Sequence, residues 1–437
     1  MKRLFAPLVI LIFAGLPLRA EIDITEIATP GGLTAWLVEE PSIPFVALEL
    51  RFRGGASLDA PGKRGAINLM TALLEEGAGD LDARGFAEAR EALAASYRFS
   101  VGDDSLSVSA RFLTENREEA VALLREALVN PRFDDDAIER VRGQVLSGLK
   151  RRETDPDALA GAAIDELAFA DHPYGSYYGG TVESVSALER ADILDAFNRA
   201  IARDRLYIAA VGDITAEELG ALLDGLLGDL PEEAAPLPEP VAFGASGGIT
   251  LVPFDTPQSV ARFGHAGVRI GTPEFFPAFI LNTIMGGGGF NSRLMQEVRE
   301  KRGLTYGIRT YLIDSDYSET LLGSVSTVNA RMAETIEVVR DEWARMARDG
   351  VTAEELETAK VYLTGAYPLR FDGNGPIARI LVGMQMQGYP TSYVKTRNAE
   401  IEAVTLEEIN RVAASLYRPD DLRFVIVGAP EGVESGE

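Results

Sequence analysis

The sequence predicts an α+β fold of two like-ordered domains, each a largely antiparallel sheet with helices packed on it. Three observations predict it. The chain has 437 residues, more than one ordinary core at roughly 100–200 residues per domain. The stretch 231–248, PEEAAPLPEPVAFGASGG, holds four prolines and no apolar periodicity, so it reads as a linker between halves at 22–230 and 249–430. The halves also close alike. VSALERADILDAFNRAIARDRLYIAAVGDIT (185–215) and VTLEEINRVAASLYRPDDLRFVIVGAP (404–430) each read as a capped amphipathic helix, a short turn and a buried strand ending in Val-Gly.

The elements follow from period. Phe45–Phe52 (FVALELRF) and Ser105–Phe112 (SLSVSARF) alternate as strands do. Gly65–Leu74, Arg117–Leu128 and Asp135–Arg152 carry apolar residues at helical spacing. Leu206–Val211 closes the first half as a strand. In the second half Ala261–Val268, Leu321–Thr327 and Leu422–Val427 read as strands, and Phe275–Ile284, Ala330–Arg348 and Ala353–Tyr367 as helices. Acidic first turns open two long helices in corresponding places, after Phe133 and after Val351. Strands and helices in this uneven order fit a sheet backed by helices better than a doubly wound fold.

Composition removes several kinds of chemistry. Hydrophobic residues make up 46% and charged residues 25%, an ordinary globular balance. The net charge of −25 argues against nucleic-acid binding, which needs a clustered positive surface. With no Cys, disulfides, thiolate zinc sites and Cys nucleophiles are excluded. The two histidines, His172 and His265, cannot make a three-His metal site. Residues 1–20 read as a cleaved signal peptide: Lys2 and Arg3 precede the apolar run Leu4–Leu18, and Leu18-Arg19-Ala20 offers a cleavage site. No later run is long and apolar enough for a membrane span, so the expected location is an exported compartment, a bacterial periplasm.

The segment most informative about chemistry is Gly286–Ile308, GGGGFNSRLMQEVREKRGLTYGI. Gly286, Gly287, Gly288 and Gly289 leave room for another backbone to approach and bend freely, and no Lys-Ser/Thr follows to make a phosphate loop. Ser292–Lys301 reads as a helix ended by Gly303, and Tyr306–Tyr311 as the next strand. Arg299 and Tyr306, seven residues apart, flank that turn. Both side chains can donate to a carbonyl gaining negative charge. On spacing alone, a surface arginine favourable at a helix C-terminus and a half-buried strand tyrosine are the better fit.

SRLMQEVREKRGLTYGI resembles the signature of the pitrilysin/insulinase family of metallopeptidases, the inverse zincins, which includes the mitochondrial processing peptidase. The resemblance extends over Gly54–Gly65, Asp171–Gly175, Gly350–Lys360, Glu402–Ile409 and the closing Val427-Gly428, nearly the whole chain after the signal segment. It implies a duplicated α+β fold, the glycine run as a substrate-binding edge, and Arg299 and Tyr306 as the pair that binds the scissile carbonyl. Active members carry H-x-x-E-H on the first helix, with two His on zinc, the Glu as general base, and a further Glu downstream. Here Asn68, Thr71 and Ala72 occupy those places, and Gln144–Leu149, near the expected third ligand, holds no carboxylate. Asn and Thr are poor neutral zinc ligands and Ala is none. Glu75 and Glu76 come after the motif and read as capping or solvating the helix, His172 as structural, and His265 as a satisfied sheet residue.

The chain therefore resembles the zinc-lacking type of subunit. Two readings stand. In one it is the non-zinc half of an exported heterodimeric peptidase, with no cofactor of its own. A zinc-bearing partner supplies H-x-x-E-H, and the substrate is an unstructured peptide. In the other it is a non-catalytic peptide-binding or assembly protein of the same fold.

Overall fold

A computed structural model describes residues 22–436; the segment read as a signal peptide lies outside the described residues. The chain forms thirteen strands among the described residues: β1 Thr25–Ala28, β2 Thr34–Glu39, β3 Phe45–Arg53, β4 Gly77–Ala78, β5 Leu81–Asp82, β6 Ser96–Val101, β7 Ser105–Leu113, β8 Leu206–Gly212, β9 Ile249–Pro253, β10 Gln258–Ala266, β11 Ile308–Asp314, β12 Glu319–Val328 and β13 Arg423–Gly428. The first sheet runs β1-β2-β8-β3-β7-β6 and the second β11-β12-β10-β13-β9; β4 and β5 make a small separate hairpin. Apart from β1, the two orders match strand for strand. The single parallel pair falls in the same place in both, β2 with β8 and β9 with β13. Thus the similar chain endings of the two halves become equivalent central strands.

Alternation along the strands decides what each sheet face meets. Val46, Leu48, Leu50 and Phe52 point into a core shared with helices Ala66–Leu73, Arg117–Val129 and Ala216–Leu227 of the same half. In the second half Ala261, Phe263, Phe424 and Ile426 meet Trp343 and Val339 of helix Met332–Asp349. The sequence predicts this single helical layer.

The opposite faces are covered reciprocally, which the sequence reading does not anticipate. Helix Asn374–Met386 of the second half lies on the first sheet, with Ala378, Leu381 and Val382 against Ala47, Ala209 and Val211. Helix Pro156–Phe169 of the first half lies on the second sheet, with Ala160 against Val260 and Val427. Polar contacts join the halves at this seam. Gln385 Nε2 donates to the Ile208 carbonyl at 2.8 Å. Arg262 pairs with Asp157 at 2.6 Å, and Arg53 with Asp316 at 3.1 Å. The stretch 231–248 has no regular structure, yet it is held along the seam by the Val241 N–H on the Tyr317 carbonyl and the Gly244 N–H on the Ala168 carbonyl. Among the described residues no helix is long and apolar enough to cross a membrane.

Candidate functional site

Helix Phe275–Asn282 continues into a wider helical turn, Thr283–Gly287, so the glycine run begins inside a helix. Gly286 is buried against β11. A Cβ there would stand 2.6 Å from Thr310 Oγ1, a distance that no side chain tolerates. The hydroxyl of Thr310 donates to Asn282 Oδ1 at 2.7 Å and pins the contact. Cβ atoms on Gly287 and Gly288 would likewise crowd Asn282 and Thr283, whereas Gly289 has open space and a φ of +66°. The close backbone approach expected of this run is thus used, at Gly286, by the chain's own strand. The run leads to Phe290, 63% exposed at the loop tip.

The predicted helix after the loop forms, with a wide winding over Met295–Glu300. Gly303, at a φ of +61°, ends it, its N–H on the Arg299 carbonyl at 2.8 Å and the Leu304 N–H on the Val298 carbonyl at 2.9 Å. The Thr305 hydroxyl then ties the chain to the Ser326 carbonyl at 2.6 Å. Tyr306 stands on the bend that follows. Regular pairing starts only at Ile308, two residues later than predicted: Thr305 meets β12 through its side chain, and the Gly307 N–H is spent on the Thr305 hydroxyl at 3.2 Å. Tyr306 is therefore no half-buried strand residue: it is 92% exposed, and its hydroxyl has no partner among the described residues. Arg299 lies over the Phe290 ring at 4.6 Å and beside Glu300 at 3.4 Å. The structure places Arg299 and Tyr306 on either side of one turn, tied by the Gly303 N–H and the Thr305 hydroxyl, and does not bond them to each other.

Arg293 fixes the base of this loop. It makes a two-pronged pair with Glu355 (2.6 and 2.8 Å) and donates to the Gly350 carbonyl at 2.8 Å. Burial alone would raise the Glu355 carboxyl, but Arg293 and the Thr352 N–H bring it down to about 2. Beside the loop lies a cavity of about 260 Å³ lined by Thr283, Gly288, Asn291, Arg293, Thr358 and Tyr362. The sequence reading missed Arg293. Its one signal is the capping box Thr352-x-x-Glu355, which marks Glu355 but not its second partner.

On the first half, Asp59 takes the N–H groups of Gly65 and Ile67, both at 2.8 Å, and starts helix Ala66–Leu73. Thr71 is buried with its hydroxyl given to the Ile67 carbonyl at 2.7 Å. Asn68 is partly exposed, and Ala72 is exposed with no donor atom. Glu75 and Glu76 do not cap or merely solvate the helix. Each reaches an arginine on another helix, Arg90 at 2.6 Å and Arg140 at 2.8 and 3.0 Å. Among the described residues no group of three His, Cys, Asp or Glu could hold a metal. These side chains do not fit the family's zinc ion, and no chemistry of this chain is drawn through one.

Both histidines serve structure. His265 is buried; its Nε2 accepts from the Trp343 indole at 2.9 Å and its Nδ1 faces the Ala266 carbonyl at 2.8 Å. Burial lowers its pKa to about 4, so it stays neutral. His172 accepts the Tyr174 N–H at 3.1 Å and packs edge-on to Tyr174 and Tyr317 at the seam.

Comparison with known proteins agrees with this geometry. A family model described as insulinase (peptidase family M16) matches residues 35–181, and one described as the peptidase M16 inactive domain matches 187–363. A Helicobacter pylori protein described as the non-peptidase homolog YmxG is 28% identical over 391 residues, 89% of this chain and 90% of that one. An uncharacterized zinc protease of Mycobacterium tuberculosis is 29% identical over 393 residues, 89% of each chain. The crystal structure of a peptidase M16 inactive domain from Pseudomonas fluorescens matches with a TM-score of 0.87 at 27% identity, covering 94% of this chain and all of that one. With both halves matched in succession and the duplicated sheets in place, the chain belongs to the insulinase family of peptidases, family M16.

Proposed function

We propose that this chain is the non-zinc subunit of an exported heterodimeric zinc metallopeptidase. Its partner, of the same family, carries H-x-x-E-H. This chain contributes Tyr306 as hydrogen-bond donor to the scissile carbonyl of an unstructured peptide, and Arg299 as the cation that orients it. Of the glycine run, Gly286 is taken up by β11, and 287–289 present backbone to the peptide beside them. The observation that carries the reading is the free hydroxyl of Tyr306, 92% exposed on a turn braced by Gly303 and Thr305. A large phenol held out to solvent on a rigid support gives the fold nothing, while a preorganised donor is what an oxyanion needs. The degenerate set Asn68, Thr71 and Ala72 supports a reading in which another chain carries the metal chemistry.

The test is peptide hydrolysis by the chain mixed with a zinc-bearing family member from the same cell. The chain alone should cleave nothing, and the mixture should cleave. Tyr306→Phe should lower kcat on the order of 100–1,000-fold with the complex intact. Arg299→Lys keeps the charge but loses the planar fork and should also be impaired. Full activity of Tyr306→Phe in the confirmed complex rejects the role. A non-catalytic peptide-holding role is favoured by one observation, the engagement of Arg299 with Phe290 and Glu300. It predicts peptide binding without turnover in any mixture.

A further inference from the structure

A cavity on the second half lies at the other end of helix Phe275–Asn282 from the glycine run. It has a volume of about 550 Å³, within the range of small-molecule sites, roughly 300–1,000 Å³. Of its fifteen lining residues three are arginine and none is Asp or Glu, although the chain as a whole carries 67 acidic residues against 42 basic. Arg397 is the telling one. It is 6% exposed, and its guanidinium is stacked between Tyr367 at 4.2 Å and Phe279 at 5.7 Å. Its hydrogen bonds go to neutral partners, the Leu363 carbonyl at 3.4 Å, Asn398 Oδ1 at 3.1 Å and the Tyr393 hydroxyl. Among the described residues it forms no ion pair, and neither does exposed Arg370 across the cavity. Arg379, at the rim, faces Glu49 at 3.6 Å. The nearest carboxylate is Asp314, outside the lining: one oxygen accepts the Ile270 N–H at 3.0 Å, the other is buried without a partner, and its charge reaches Tyr389 of the wall, so an anion must sit on the arginine side. A buried guanidinium without an anion is costly and calls for a counter-charge.

The remaining walls are aromatic and aliphatic. Phe275 and Phe279 stack at 6.1 Å and 16°, and Tyr389 and Tyr393 at 3.8 Å and 13°. We propose that this cavity is a binding site for a small organic anion, a carboxylate on an aryl or alkyl body. The carboxylate meets Arg397 and Arg370, and the body lies against the two aromatic stacks. The arginines give the planar, two-pronged recognition that suits a carboxylate. The stacked rings give a flat apolar slot. The site owes nothing to the peptidase reading and stands or falls separately from it.

The experiment is isothermal titration calorimetry of the full chain with 3-phenylpropanoate and with octanoate, each beside its uncharged primary amide. At least one acid should bind saturably at one site per chain, with millimolar or better affinity for ligands of this size. The amides should bind at least tenfold more weakly. Arg397→Gln and Arg370→Gln should each lose about 10–100-fold in affinity, the worth of one charge-assisted hydrogen bond. Arg370 is exposed, so its variant should keep the fold and decides the matter if Arg397→Gln does not. No saturable heat from either acid at about 10 mM, well above that affinity, overturns the proposal. So does equal binding of acid and amide, or unchanged affinity in Arg370→Gln.

Discussion

Asp165→Asn should stabilise the protein at neutral and alkaline pH and change little in acid. Asp165 lies partly buried on helix Pro156–Phe169, between the halves. Burial and the negative charge of Asp103 push its carboxyl up to about 7 from 3.8. Arg262 and Arg152 pull the other way but are engaged elsewhere: Arg262 pairs with Asp157 at 2.6 Å, and Arg152 lies over the Tyr177 ring at 3.6 Å. A carboxyl raised in the folded state makes the native protein bind more protons than the unfolded chain between the two values. Stability therefore falls as pH rises from about 4 to about 7, and the loss is complete above that. At about 1.4 kcal/mol per unit, the rise from 3.8 to about 7 corresponds to about 4 kcal/mol. Asn keeps the shape and cannot ionise. The assay is urea unfolding of both proteins at closely spaced pH values from about 4 to about 8. Taking the difference cancels the other carboxylates. The gap should be near zero in acid and widen through pH 7. A gap that does not change with pH, or a variant less stable at pH 8, refutes the reasoning.

Two further substitutions test the fold and the loop. Leu381→Ala removes a fully buried side chain from the helix that crosses onto the first sheet. It should cost about 2–5 kcal/mol and lower one shared calorimetric transition, since each half's sheet is covered by the other; two transitions, only one of them shifted, would contradict reciprocal packing. Gly286→Ala forces a methyl to 2.6 Å from Thr310 Oγ1 and should cost about 1–3 kcal/mol through overpacking. Gly289→Ala meets no atom and pays only for its φ of +66°, about 1–2 kcal/mol. Thermal unfolding of both variants checks the order, and a Gly286→Ala protein as stable as the parent removes the packing role.

Much of the site was legible in the sequence because it rests on residue type. Ala72 has no donor in any fold, and a chain with two histidines and no cysteine has few ways to hold zinc. The positive-φ stop at Gly303 was also legible, since a helix running into Gly has a local solution. The bend that exposes Tyr306 was not. It depends on Thr305 reaching Ser326 of another strand, and the local pattern alone favoured a strand from Tyr306 onward. Arg293 and Arg397 were invisible for the same reason, because what an arginine faces is set by elements far along the chain.

For the fold, the period of apolar residues located the longer strands and the long helices, and the linker and the matching chain ends implied two like domains. A period reports which face of an element is apolar, not what covers it. FVALELRF alternates, yet Glu49 on its other face is buried and held by Ser109 and Arg379. The two crossing helices escaped detection although Asp155-Pro156 is a helix-start signal. Both are apolar around most of their circumference, so they present no stripe. Their partners lie on the other half; Arg51 and Met386, which meet at this seam, are 335 residues apart in the chain. The sequence by itself determined two duplicated sheets and the replacement of the H-x-x-E-H positions by Asn68, Thr71 and Ala72. Only the tertiary structure decided that each sheet is closed by the other half's helix, because burial of the second face is a property of the assembled pair.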